Sequence, residues 1–260
     1  MKLNIVPART GLQWVKSGMR TFFKQPLAFS GLFFMFLAGM TVLTLVPVLG
    51  NVLGLALMPG ATLGLMAATE ETTKGKFPMP TILLSGFRAG RQQLKSMLIL
   101  GLLYAVGILL VLAISATVDG GKVAHMYLEG GAMSKETAED PNVQAAAFLG
   151  LALYLPLSLL FWHAPALVHW HGLSVGKSLF FSLVACARNF WAFVVYSLAW
   201  LGTFVGVGMV VAVVTALAID PEAVPGIMFP ALMLVAAMFF TSIYFSFRDC
   251  FAEDGAHPAA

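Results

Sequence analysis

Six stretches of this chain, residues 26–46, 48–68, 96–117, 144–168, 190–218 and 226–247, contain no Asp, Glu, Lys or Arg. A helix crosses a bilayer with about 20 mostly apolar residues, and each stretch is that long. In hydrocarbon every backbone N–H and C=O must find a partner inside the protein, which an apolar segment of this kind achieves as a helix. The composition points the same way. Of 260 residues, 59% are hydrophobic and 10% charged, with a mean hydropathy of +0.88, whereas a soluble domain carries roughly 25% charged residues. The chain therefore reads as an all-α, polytopic membrane protein with six transmembrane helices. They form one integral membrane domain over residues 1–260, with a flexible tail at 252–260.

Charge between the spans predicts their orientation. Lys2, Arg9, Lys16, Arg20 and Lys24 precede the first span, and Lys74, Lys76, Arg88, Arg91 and Lys95 join the second to the third. Lys177 and Arg188 join the fourth to the fifth, and Arg248 follows the sixth. The alternate segments hold only Lys122 and Lys135, outnumbered by Asp119, Glu129, Glu136, Glu139, Asp140, Asp220 and Glu222. The positive-inside rule then places both termini in the cytoplasm. The segment from Asp119 to Pro141 becomes the one sizeable external feature, expected as a mobile loop or short surface helix. No removable signal peptide is expected, because the first span is too long for a signal h-region. Cys186 and Cys250 fall on the cytoplasmic side, where reduced thiols rather than a disulfide framework are expected. With a net charge of +3 and its basic residues beside apolar runs, the chain offers no nucleic-acid footprint.

The basic run ahead of the first span is amphipathic. Leu12, Val15, Met19, Phe22 and Phe23 share one helical face, flanked by Lys16, Arg20 and Lys24. Such a helix lies at the headgroup level with its cations among lipid phosphates. The device recurs. Ser17-Gly-Met-Arg20 returns as Ser85-Gly-Phe-Arg88, and Arg188-Asn189 stands before span five where Lys24-Gln25 stands before span one. The expected plan is three cytoplasmic amphipathic elbow helices, each followed by a hairpin of two spans, in repeats over 8–78, 79–170 and 171–247.

With its Trp14-Val-Lys-Ser-Gly-Met-Arg-Thr-Phe-Phe-Lys-Gln-Pro26 elbow and Ala187-Arg-Asn-Phe-Trp191 before span five, the chain resembles an uncharacterised family of six-span inner-membrane proteins from beta-proteobacteria. More remotely it is similar to membrane domains of the glycerophosphodiester phosphodiesterase type, which also repeat an elbow-and-hairpin unit. The resemblance implies a bacterial inner membrane and supplies no catalytic residue. The soluble phosphodiesterase domain has no counterpart here, so that activity is not carried over.

Spans without acidic or basic side chains lack the groups that ion-coupled transporters and intramembrane hydrolases keep despite an insertion cost of roughly 2.5–3.5 kcal/mol each. His163, His169 and His171 cluster near one end of span four beside Trp162 and Trp170. His163 and His169 are about 240° apart on an ideal helix, and no acid or Cys completes a metal set. The cluster reads as an interfacial belt, with His163 kept as a possible ligand or proton site. Gly50, Gly54, Gly60 and Gly64 in span two, with Gly202 and Gly206 in span five, are expected to pack helices closely. Asn51 and Pro59 could mark a break in span two where a ligand meets open backbone. No phosphate loop, catalytic triad or paired carboxylates are visible, so neither enzymatic activity nor a cofactor or metal is expected. Arg20, Lys24, Arg88, Arg91, Lys95, Lys177 and Arg188 form the candidate site, for anionic lipid headgroups. The expected role is a non-enzymatic component that associates with lipid or assembles with a membrane-protein partner or second copy. The alternative is an uncoupled transporter or channel for a small apolar or amphipathic solute.

Overall fold

The structure, a computed structural model, describes residues 2–130 and 134–251, so the tail expected at 252–260 lies outside the described residues. All regular structure among the described residues is helical. The first elbow is α1 (Thr10–Lys24), and Gln25 alone separates it from α2 (Pro26–Thr44). Pro26 explains the junction: its ring cannot continue α1, and at the first position of α2 it needs no N–H. A tight turn leads into α3 (Leu49–Thr73), with Val48 held at φ 61°. The second elbow is a 3₁₀ turn, Pro80–Leu84, and the single turn α4 (Ser85–Arg88). Then come α5 (Arg91–Asp119), α6 (Lys122–Glu129), α7 (Lys135–Glu139), α8 (Pro141–Phe161) and α9 (Ala164–His171). The third elbow, α10 (Val175–Arg188), precedes α11 (Phe190–Ala218) and α12 (Val224–Cys250).

Six segments are long and apolar enough to cross a membrane: α2, α3, α5, α8 with α9, α11 and α12. Each charge-free stretch thus supplies one crossing, and the protein is an all-α, multi-pass membrane protein. Several helices outrun their apolar stretches. α3 continues to Thr73, where Glu70 and Glu71 meet Lys74 and Lys76 at 2.8 and 3.8 Å. Pro59 lies inside this unbroken helix, so the break considered at Asn51 and Pro59 does not occur.

The chain divides into two compact units. One holds residues 2–34, 64–83 and 185–251. Its core joins α1, the start of α2, α11 and α12 through rings: Trp14 against Phe193 and Tyr196, Tyr196 and Trp200 against Phe239, and Phe33 against Phe240, with centroids 5.2–6.0 Å apart. The other unit holds residues 35–63, 84–130 and 134–184. Here Leu55, Ala105 and Ile108 form a core with Leu157 packed on it, and a Cβ on Gly107 would stand 2.7 Å from Leu157. The Asp119–Pro141 segment contains two short helices. Asp119 accepts from the N–H groups of Gly121 and Val123 at 2.8 and 2.7 Å, and so starts α6. Leu128 near the end of α6 accepts from Asn51 Nδ2 at 2.7 Å and Val48 N–H at 3.2 Å, which fixes the strained α2–α3 turn. Asn51 therefore serves this tie.

Candidate functional site: the basic elbows and their seats

Each elbow is seated on membrane helices through small residues. In α1 a Cβ on Gly18 would stand 2.7 Å from the Ser242 Cα of α12, and one on Gly11 would stand 2.8 Å from the Tyr196 N of α11. In α4 a Cβ on Gly86 would stand 3.1 Å from Leu63 and 3.4 Å from the Gly60 backbone of α3. In α10 the Ser182 hydroxyl donates to the Leu159 carbonyl at 2.8 Å and accepts the His163 N–H at 2.9 Å. Gly18 and Gly86 are the glycines of the two Ser-Gly-x-Arg runs. Ser182 stands seven residues before Asn189, as Gly18 stands seven before Gln25.

The buried face of α1 differs from the expected stripe. Gly11, Trp14, Val15, Gly18, Thr21 and Phe22 are buried, while Leu12 and Phe23 are 42% and 64% exposed. The reason is close packing: the helix meets backbone of α11 and α12, so its contact face centres on glycines. Two residues that the sequence left without a role hold this arrangement. Asp249 accepts from Trp14 Nε1 at 2.9 Å. Asn189, 2% exposed, accepts the Val6 N–H at 2.8 Å and donates to the Asn4 carbonyl at 3.0 Å, which pins the segment before α1. Their partners lie far away in sequence, so no local pattern marks them.

The second elbow is not one helix. Gly90, at φ 112°, ends α4, so Arg88 belongs to α4 while Arg91 and Lys95 stand on the first turns of α5. Lys177 and Arg188 are carried by α10, and Arg20 and Lys24 by α1. All seven are exposed. Among the described residues none of the seven has an acidic partner, whereas Lys74, Lys76, Lys122, Lys135 and Arg248 each lie 2.6–3.9 Å from a carboxylate. In the unit of α5 the cations are Arg88, Arg91, Lys95 and Lys177, and in the unit of α1 they are Arg20, Lys24 and Arg188.

The other candidates separate. Gly60 is covered by the Phe87 ring, Gly64 by Leu83 with its Cα at 2.6 Å, Gly54 by Met40 at 2.9 Å and Gly50 by the Leu43 carbonyl. Gly202 and Gly206 are not seen to pack helices: among the described residues nothing lies within 4 Å of a Cβ built on either. α11 uses the face of Ala192, Phe193, Tyr196 and Trp200 for its contacts, and Gly202 and Gly206 are about 200° and 240° around from Trp200. His163 is fully buried at the α8–α9 break, where it caps α9 with its carbonyl accepting from Leu167 at 2.9 Å. His169 and His171 are half-buried at the other end of α9. Among the described residues no group of three His, Cys, Asp or Glu is placed to hold a metal ion. Cys186 and Cys250 are buried and not disulfide-bonded, and burial pushes the Cys186 thiol above its ordinary value.

Comparison with known proteins adds the family. No family model matches the chain, and no solved structure matches it. Neither comparison supports the likeness to glycerophosphodiester phosphodiesterase membrane domains. A Burkholderia thailandensis protein named probable inner membrane protein is 41% identical over 262 aligned residues, which cover 98% of this chain and 97% of that relative. With six membrane-crossing segments and this end-to-end identity, the chain belongs to the family of that Burkholderia inner membrane protein.

Proposed function

We propose that this protein is a non-enzymatic component of the bacterial inner membrane that binds and organises anionic lipid through its elbows, with both termini in the cytoplasm. The observation that carries the reading is the division of its cations. Lys74, Lys76, Lys122, Lys135 and Arg248 are matched by carboxylates of the chain, while the seven elbow cations, together with Lys2, Arg9 and Lys16 before and on α1, are exposed and have no acidic partner among the described residues. A cation near an anionic leaflet gains about 1 kcal/mol from it, and phosphate oxygens complement Arg and Lys donors well. The glycine face of α3 supports this reading over a solute pathway, because Leu43, Met40, Phe87 and Leu83 occupy it.

The three-repeat plan over 8–78, 79–170 and 171–247 belongs to the same proposal. Its support is the seating pattern. α4 and α10 each rest on the second span of the preceding repeat, and α1 rests on α12, the second span of the last. Each elbow thereby holds its cations beside a span boundary.

Native mass spectrometry of protein released from phosphatidylglycerol-containing nanodiscs tests the reading. Wild type should retain phosphatidylglycerol in preference to phosphatidylcholine, and a variant with all seven cations replaced by Gln should lose that preference. Equal retention of both lipids by wild type would overturn it. Reporter fusions after Lys76 and Lys177 test the orientation, and an external signal at either position would reverse it.

A further inference from the structure

We infer that the start of α5 is a binding site for one anionic phospholipid, its phosphate held by Arg91 and Lys95 and one acyl chain lying along Leu98 and Leu102. The inference rests on the lipid-binding reading above and narrows it to one place and one occupant. Arg91, Lys95, Leu98 and Leu102 follow at steps of four, three and four, so they share one helical face. All four are exposed. With Leu94 and Ile99 beside them they line a shallow, open groove formed by this helix alone. Its two ends differ in chemistry: the Arg91 guanidinium and the Lys95 ammonium at one end, neither with an acidic partner among the described residues, and only aliphatic side chains beyond Lys95. From Arg91 to Leu102 the helix rises about 16 Å, a length that seats a headgroup and much of one chain.

Charge complementarity names the occupant. The groove lies on a segment that crosses the membrane, where its aliphatic part meets acyl chains and its basic end meets the headgroup layer. The helix start adds to the attraction. Gly90, at φ 112°, separates α4 from α5 and supplies no side-chain cap, so the first N–H groups of α5 and the positive end of its dipole favour an anion there. Arg91 can take a phosphate through two N–H donors at once. A free phosphate ion would use the cations and leave the aliphatic half of the groove idle, whereas a phospholipid uses both.

The test is photocrosslinking in nanodiscs with phosphatidylglycerol carrying a diazirine in mid-chain, read by peptide mapping. The expected result is preferential labelling of Leu98, Ile99 or Leu102. That labelling should fall about tenfold in the Arg91→Ala/Lys95→Ala variant, survive in Arg91→Lys, and stay unchanged in Lys135→Ala, a cation outside the elbows. Inorganic phosphate should not compete. Labelling spread evenly over α5 and the exposed face of α11, at Leu201 and Met209, would overturn the site, as would α5 labelling that survives the double substitution. Competition by inorganic phosphate would overturn the lipid assignment. If phosphatidylglycerol is retained at α1 and α10 but α5 is unlabelled, the groove fails while the broader lipid reading stands. If no phosphatidylglycerol is retained at all, both fail.

Discussion

The indole Nε1 of Trp14 donates a hydrogen bond to Oδ2 of Asp249 at 2.9 Å, which joins the first helix to the end of the last across 235 positions of sequence. Trp14 is 1% exposed and lies between Phe193 and Tyr196. Two separable contributions therefore seat α1: burial of the ring and the bond from its edge. Trp14→Phe keeps most of the burial but loses the donor, at a cost of about 1–2 kcal/mol. Trp14→Ala loses both, at about 3–5 kcal/mol. Unfolding midpoints in detergent should rank wild type above Phe and Phe above Ala. A Phe variant as stable as wild type would mean that ring burial alone holds α1.

Two helical glycines, Gly18 and Gly206, should respond differently to the same substitution. At Gly18 an added side chain meets the Ser242 backbone, while at Gly206 it meets open space. Gly18→Leu should cost about 1–3 kcal/mol through overpacking. Gly206→Leu should change stability by less than about 0.5 kcal/mol. The same unfolding assay decides it, and equal losses at both positions would contradict the packing described for α1.

Ser182 stitches the α8–α9 break, because its hydroxyl serves both the Leu159 carbonyl and the His163 N–H. Ser182→Ala removes those two bonds from a fully buried position and should cost about 1–3 kcal/mol. Ser182→Thr keeps the hydroxyl and should recover much of the loss. Amide exchange at His163 should rise in the Ala variant, and unchanged protection there would show that Ser182 is dispensable to the break.

The pair Lys122–Asp140, at 2.6 Å, ties the start of α6 to the start of α8. The Lys122 hydrogen bond holds the Asp140 carboxyl below its ordinary value of 3.8, and Asp140 holds the Lys122 ammonium above its ordinary 10.5. A lowered carboxyl contributes stability that is present above its unfolded value and is lost as pH falls through the folded one. A raised ammonium contributes below its unfolded value and loses that contribution as pH rises through the folded one. The tie should therefore hold from about pH 4 to about pH 10. A double-mutant cycle with Lys122→Gln and Asp140→Asn should show coupling at about pH 7 that declines as acid protonates Asp140. Coupling that persists in acid would mean that the pair interacts without charge.

The sequence by itself determined the class of this protein. Six runs free of Asp, Glu, Lys and Arg can lie in hydrocarbon only as self-satisfied helices, and each became a crossing. Periodicity also located α1, because an amphipathic pattern depends only on residues within a few turns of one another. Which side of each helix meets protein was decided by the tertiary structure. Leu12 and Phe23 turn outward while Gly11, Trp14 and Gly18 turn in, and Gly60 is covered while Gly206 is bare. Asn189 and Asp249 gain their roles from partners 183 and 235 positions away. In water an apolar face marks the inside. In a membrane lipid and protein neighbours are equally apolar, so hydrophobicity finds the helices without saying which face is shared, and only close approach of distant backbone makes that choice.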